Sequence, residues 1–149
     1  MKETYYLNKD TLPVMPVPHD NIISNITVDD EFVTFILETD PKDKDDSIQY
    51  YKPGAKGLII RYHTERDYLI YQHKKTKRPR FLCKMFTPRI HYIDVDENKL
   101  EALALAHDKY SLDYIEHFVG YNTVIVNLYA KSSIYLRMQA DYVEYEWLF

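Results

Sequence analysis

Apolar residues recur at every second position through much of the chain, and charged or turn-forming residues cut each run short. A period of two marks a strand with one face on a core. The pattern is clearest near the end, where Val143, Tyr145, Trp147 and Phe149 share one face and Tyr142, Glu144 and Glu146 the other. Residues 122–129 and 133–139 form two more such runs, joined by Ala130, Lys131 and Ser132. Earlier, residues 21–28 and 32–38 flank Asp29, Asp30 and Glu31, an acidic turn of hairpin length. In the second of these runs Val33, Phe35 and Leu37 lie on one side and Phe32, Thr34 and Ile36 on the other. Both sides are apolar enough for an interior strand. Residues 57–63 and 68–73 make a pair, and 80–87 with 89–95 another. Pro88 falls between the last two, where its missing N–H does no harm.

Four stretches break the alternation. Pro13, Pro16 and Pro18 favour extended backbone, so residues 1–20 are expected to be an irregular lead-in. Residues 39–47 (TDPKDKDDS) read as a solvated loop. Its Asp40, Asp43, Asp45 and Asp46 lack the Gly and Glu that a calcium loop requires at its sixth and twelfth positions. Lys52, Pro53 and Gly54 signal a turn. Finally, Asp96 can cap a helix in which Leu100, Leu103, Ala104 and His107 follow helical spacing. Beyond it, Ser111 can cap a second short helix bearing Leu112, Ile115, Phe118 and Val119, closed by Gly120. The same residues also alternate as a strand (Leu112, Tyr114, Glu116, Phe118), and both alternatives stand.

The expected fold is α+β and mostly β. It is a single globular domain over residues 1–149, built on an antiparallel sheet, rolled or sandwiched, of about eight or nine strands. One or two short helices are expected between residues 96 and 120.

Composition narrows the function. The 149 residues are 46% hydrophobic and 28% charged with a formal net charge of −4, which is ordinary for a globular protein. No apolar run reaches the roughly 18 residues of a membrane helix. The start, MKETYYLNKDTLPVM, lacks the apolar segment of a secretory signal, so a cytoplasmic location is expected. A lone Cys83, in an apolar run, allows no internal disulfide and reads as a buried inert thiol. Glycine occurs only at 54, 57 and 120, so neither phosphate-binding glycine loop is present, nor the G-x-S-x-G elbow of hydrolases. No cofactor is expected. The six histidines show neither H-x-H nor H-E-x-x-H, and no metal site is expected. His107–Asp108 and Glu116–His117 are sequence neighbours, which on a strand point to opposite faces and form no dyad. Glu144 and Glu146, near Arg137, share a face as a carboxylate pair might, but solvated glutamates alternate in the same way. No catalytic residue is assigned.

Two features remain. Tyrosine occurs 15 times, which suits half-exposed strands and also contact faces. The run HKKTKRPR at residues 73–80 places Lys74, Lys75, Lys77, Arg78 and Arg80 together inside an acidic chain. With Tyr71 and Phe81 beside it, the run reads as a basic hairpin loop that can meet an acidic protein surface. The expectation is a non-enzymatic binding protein acting through a Tyr-rich β surface and this loop. Two alternatives stand beside it. One is nucleic-acid binding through the same loop, with phosphates on the cations and bases on the rings. The other is a small enzyme or ligand binder with a pocket in the sheet lined by Tyr, His and the Glu144 and Glu146 pair, which requires at least two of His63, His91, His107 and His117 to converge with a carboxylate. The oligomeric state is left open.

Overall fold

A computed structural model describes residues 1–65, 67–75, 90–94, 96–105 and 112–149. Ten strands form one antiparallel sheet: β1 (Lys2–Tyr6), β2 (Asn21–Val28), β3 (Phe32–Glu38), β4 (Gly57–His63), β5 (Tyr68–Lys75), β6 (Ile90–Asp94), β7 (Asp113–Gly120), β8 (Thr123–Tyr129), β9 (Ser133–Gln139) and β10 (Tyr142–Leu148). Two short helices join them, α1 (Ser47–Tyr51) and α2 (Glu97–Leu105). The strand order is β1-β10-β4-β3-β2-β7-β8-β9-β5-β6, with β1 and β6 at its two ends and no barrel closure among the described strands.

The α+β, mostly antiparallel architecture is the one expected, and three details differ. First, residues 1–20 are not wholly irregular, because Lys2–Tyr6 pairs with β10 as an edge strand. Second, one of the two helices is not between residues 96 and 120. Residues 113–120 are β7, paired along their length with β8, and the extra helix is α1 at the end of the acidic loop. Sheet pairing over eight residues satisfies more backbone groups than a short isolated helix would. Third, the described residues alone hold ten strands, since β1 and β7 both add to the sheet. The expected strand at 80–87, with Cys83, lies outside the described residues.

The core is built from registered ranks of inward side chains. On β10, β4 and β3 these are Val143–Tyr62–Val33, Tyr145–Ile60–Phe35 and Trp147–Leu58–Leu37. On β8 and β9 they are Val124–Met138, Val126–Leu136 and Leu128–Ile134. All of these residues are buried in one cluster. The two groups meet at a narrow seam, where β2 pairs with β7 only through Asn21–Tyr114 and Ile22–Asp113.

The sheet curls on itself. β10 and β7 stand four places apart in the strand order, about 19 Å across a flat sheet. Yet the Tyr145 hydroxyl on β10 lies 3.4 Å from Nε2 of His117 on β7. Leu7, just after β1, likewise accepts from the backbone N–H of Asn122 in the β7–β8 turn at 3.0 Å.

Both helices are capped as their sequences require. Asp96 Oδ1 accepts from Lys99 N at 2.9 Å, and Leu100 is fully buried. Asp46 Oδ1 accepts from Gln49 N at 3.0 Å. The other oxygen of Asp46, Oδ2, takes Asp40 N at 3.0 Å and Asn21 Nδ2 at 3.2 Å. The acidic loop therefore folds its carboxylates onto its own backbone. Replacing Asp46 with Ala should cost about 2 kcal/mol, one cap plus the stranded Asn21 amide, as read from urea denaturation.

Candidate functional site

The outer face of the sheet over β7, β8, β9 and β5 carries two ranks of side chains set by register. One runs Phe118–Ile125–Arg137–Leu69 and the other Glu116–Asn127–Tyr135–Tyr71. Phe118, Leu69 and Ile125 of the first rank are 57%, 51% and 37% exposed. Tyr71, Ile125, Tyr135 and Arg137 line a depression of about 390 Å³ between the ranks. The face exists because β8 and β9 alternate strictly, which sends Ile125 and Arg137 outward whenever Val126 and Leu136 turn in.

Of the expected binding residues, Tyr71 is part of this face. Lys74 and Lys75 continue the same strand and pair in register with His91 and Ile90 of β6. Lys77, Arg78, Arg80 and Phe81 lie outside the described residues. Register analysis adds Phe118, Ile125, Tyr135, Leu69 and Arg137, which sequence reasoning missed. The alternation of β8 and β9 was their only local signal.

The tyrosines divide differently from either expectation. Tyr62, Tyr114 and Tyr145 are entirely buried. Tyr62 and Tyr114 hydroxyls are 2.5 Å apart, Tyr114 is 2.7 Å from Nδ1 of His117, and Tyr145 donates to the Pro16 carbonyl at 2.7 Å. One direction satisfies every member. Tyr62 donates to Tyr114, Tyr114 to Nδ1, and Nε2–H of a neutral His117 to Tyr145, which donates to Pro16. A bulge between Tyr114 and Glu116 brings both Tyr114 and His117 inside. Burial holds the imidazole pKa down to about 4, and burial likewise pushes Tyr62, Tyr114 and Tyr145 upward. A neutral chain of this kind ties the lead-in strap at Pro16 to three strands. Neutral, enclosed groups of this sort bind the core together and offer nothing to a substrate.

His63 and His117 do not converge. His63 and Tyr62 are neighbours on β4, so His63 faces away from the core that holds His117. His63 instead meets Asp141, with Nδ1 2.6 Å from Oδ1. Its ring stacks on Tyr142 at 4.5 Å and 11°, with Phe32 edge-on at 5.2 Å. His91 lies on β6, and His107 is outside the described residues. Glu144 and Glu146 are engaged by cross-strand cations, Lys2 at 2.9 Å and Arg61 at 2.8 Å, not by Arg137. The Arg61 guanidinium holds Glu146 below the ordinary carboxylate range. Among the described residues no group of three or more His, Cys, Asp or Glu could hold a metal ion. No helix among them is long and apolar enough to cross a membrane.

No protein-family model matches this chain, and no curated protein or solved structure matches it. Function therefore has to be argued from the chain's own surfaces.

Proposed function

We propose that this chain is a non-enzymatic cytoplasmic binding protein that docks an acidic protein surface. The docking face is the outer side of β7, β8, β9 and β5, extended by the basic run at residues 73–80. The observation that carries it is the exposed cluster of Phe118, Ile125 and Leu69 around the depression formed by Tyr71, Tyr135 and Arg137. An apolar centre with Tyr and Arg is the composition of an interface core. The cations Lys74, Lys75, Lys77, Arg78 and Arg80 follow directly along the chain from Tyr71. They gather positive charge in a chain that is negative as a whole, and such charge selects an acidic partner and steers its approach.

The test is site-specific photo-crosslinking from position 135, followed by identification of the captured protein and binding measurements with it purified. The expected partner is acidic where it touches, and its affinity falls as salt rises. Replacing Phe118 and Ile125 with Ser weakens it at least about tenfold, since central apolar anchors dominate binding energy. Replacing Lys74, Lys75, Lys77, Arg78 and Arg80 with Ser slows association and leaves thermal stability nearly unchanged. A partner that binds both variants as tightly as the native chain overturns the proposal. Crosslinks to RNA or DNA in place of protein, with a salt-sensitive electrophoretic shift, would transfer the face to nucleic acid.

A further inference from the structure

A second concavity, of about 420 Å³, opens where β4 ends against the β7–β8 and β9–β10 turns. None of its lining residues belongs to the docking face, so the two sites stand or fall separately. Its size falls within the range of small-ligand sites.

Its walls are held from behind. Gln139 N donates to Asp67 O at 2.9 Å, Ala140 N to Asn122 O at 3.1 Å, and Leu7 N to Asp141 O at 2.7 Å. His63 is fixed by the Asp141 carboxylate and by the Tyr142 ring stacked on it. A carboxylate only accepts, so Nδ1 carries a proton toward Asp141 and Nε2 is left for a hydroxyl, which can both donate and accept. Among the described residues Nε2 of His63 has no other hydrogen-bond partner. The rest of the lining is chemically uniform. Glu65 and Asp67 add carboxylate acceptors, while Asn8, Asn122 and Gln139 add amides that both donate and accept. Asn122 is held at φ 48°, and its Oδ1 is a buried acceptor with no hydrogen-bond partner among the described residues.

That lining decides what it can hold. Glu65, Asp67 and Asp141 set three carboxylates among the described lining residues, and these disfavour an anionic ligand. Apolar ligands would strand the polar walls, since Ala140 is the only apolar side chain among the described lining residues. An ammonium ion only donates and would leave the amide N–H groups of Asn8, Asn122 and Gln139 without acceptors. Hydroxyls donate and accept at the same atom, and neighbouring hydroxyls match planar carboxylate and amide groups set side by side. We infer that this cavity binds a saccharide, recognised through a pair of adjacent hydroxyls that reach His63 Nε2, a carboxylate and an amide.

The test is titration of the isotope-labelled full chain with glucose, galactose, mannose and ribose, read by amide chemical shifts. Agmatine serves as the cationic comparison and propan-2-ol as the isolated hydroxyl. Saturable shifts at Thr64, Asp67, Asn122 and Ala140 are expected with at least one sugar and with neither comparison compound. Asn8 is exposed, so Asn8→Ala keeps the fold and should weaken the dissociation constant about tenfold, one hydrogen bond's worth. Asp141→Asn should weaken it as well, by releasing the His63 tautomer, while Arg137→Ser leaves it unchanged. The inference is overturned if no sugar of the panel moves these amides. It is equally overturned if agmatine moves them in place of sugars, or if both cavity variants bind as the native chain does.

Discussion

Acidification from pH 6.5 to pH 4 should remove about 3 kcal/mol of stability through His117 alone. The sign follows from the direction of its shift. Burial lowers the folded pKa to about 4 from an ordinary value of 6.5. Between those values the unfolded chain binds a proton that the folded chain refuses, so stability is full above pH 6.5 and drains as pH falls. The difference between 6.5 and about 4 corresponds to about 3 kcal/mol. A proton on Nδ1 would also turn that nitrogen into a donor facing the Tyr114 hydroxyl, 2.7 Å away, and reverse the sense of the chain. His117→Gln isolates the effect, because glutamine keeps one acceptor and one donor but never charges. Urea midpoints at pH 7, 5.5 and 4 should fall steeply for the native chain and less so for the variant by this amount. Equal slopes for the two would remove the argument. Tyr114→Phe, which strands both the Tyr62 hydroxyl and Nδ1 of His117, should cost about 3 kcal/mol at neutral pH.

Gly57→Ala should be comparably severe, and for a purely steric reason. Gly57 opens β4 between Glu38 of β3 and Leu148 of β10. A Cβ there would stand 2.7 Å from the Leu37 carbonyl oxygen and 3.5 Å from Leu148 Cδ1. The first of these is backbone in the middle of a sheet and cannot swing aside. Relief requires the β3–β4 ladder to part locally, at about 3 kcal/mol or more. Gly120→Ala supplies the control, since the nearest atoms to its Cβ would be 3.9 Å away. The two variants should separate clearly in denaturant midpoint, and a Gly57→Ala chain that unfolds alongside Gly120→Ala contradicts the geometry.

Strands whose inward residues alternate were legible from the chain alone. β3, β4 and β8 to β10 all show it, and the Asp96 cap of α2 was equally plain. β1 was not, because KETYY has the half-polar look of an edge, and its partner Tyr142–Glu146 lies at the other end of the chain. α1 is a single turn whose only local sign is Asp46. Residues 113–120 carried both helical and strand periods, and pairing with β8 decided between them. The strand alternative also put Tyr114 and Phe118 on one face. The bulge at residue 115 separates them, leaving Tyr114 inside and Phe118 57% exposed. Sites built from distant residues were hidden for the same reason. His63 and Asp141 are 78 positions apart, and Tyr62, His117 and Tyr145 come from three strands. Glu116 and His117, by contrast, do face opposite ways as strand neighbours should.

The placement of β10 has a consequence for how the chain matures on a ribosome. Among the described strands β10 is synthesised after all the others, yet it sits between β1, the earliest of them, and β4. Met1 and Trp147 exchange backbone hydrogen bonds across that join. Until residues 142–148 emerge, β1 has nothing to pair with and the Leu58–Ile60–Tyr62 side of β4 lacks the strand that flanks it. Closure of this half of the sheet is thus an end-to-end contact, the slowest kind to find and the longest to leave apolar surface waiting. The other half, from β7 to β9, is made of consecutive hairpins and needs no such delay. Birth order and folding order run opposite to one another here: the earliest of the described strands is among the last of them to be secured.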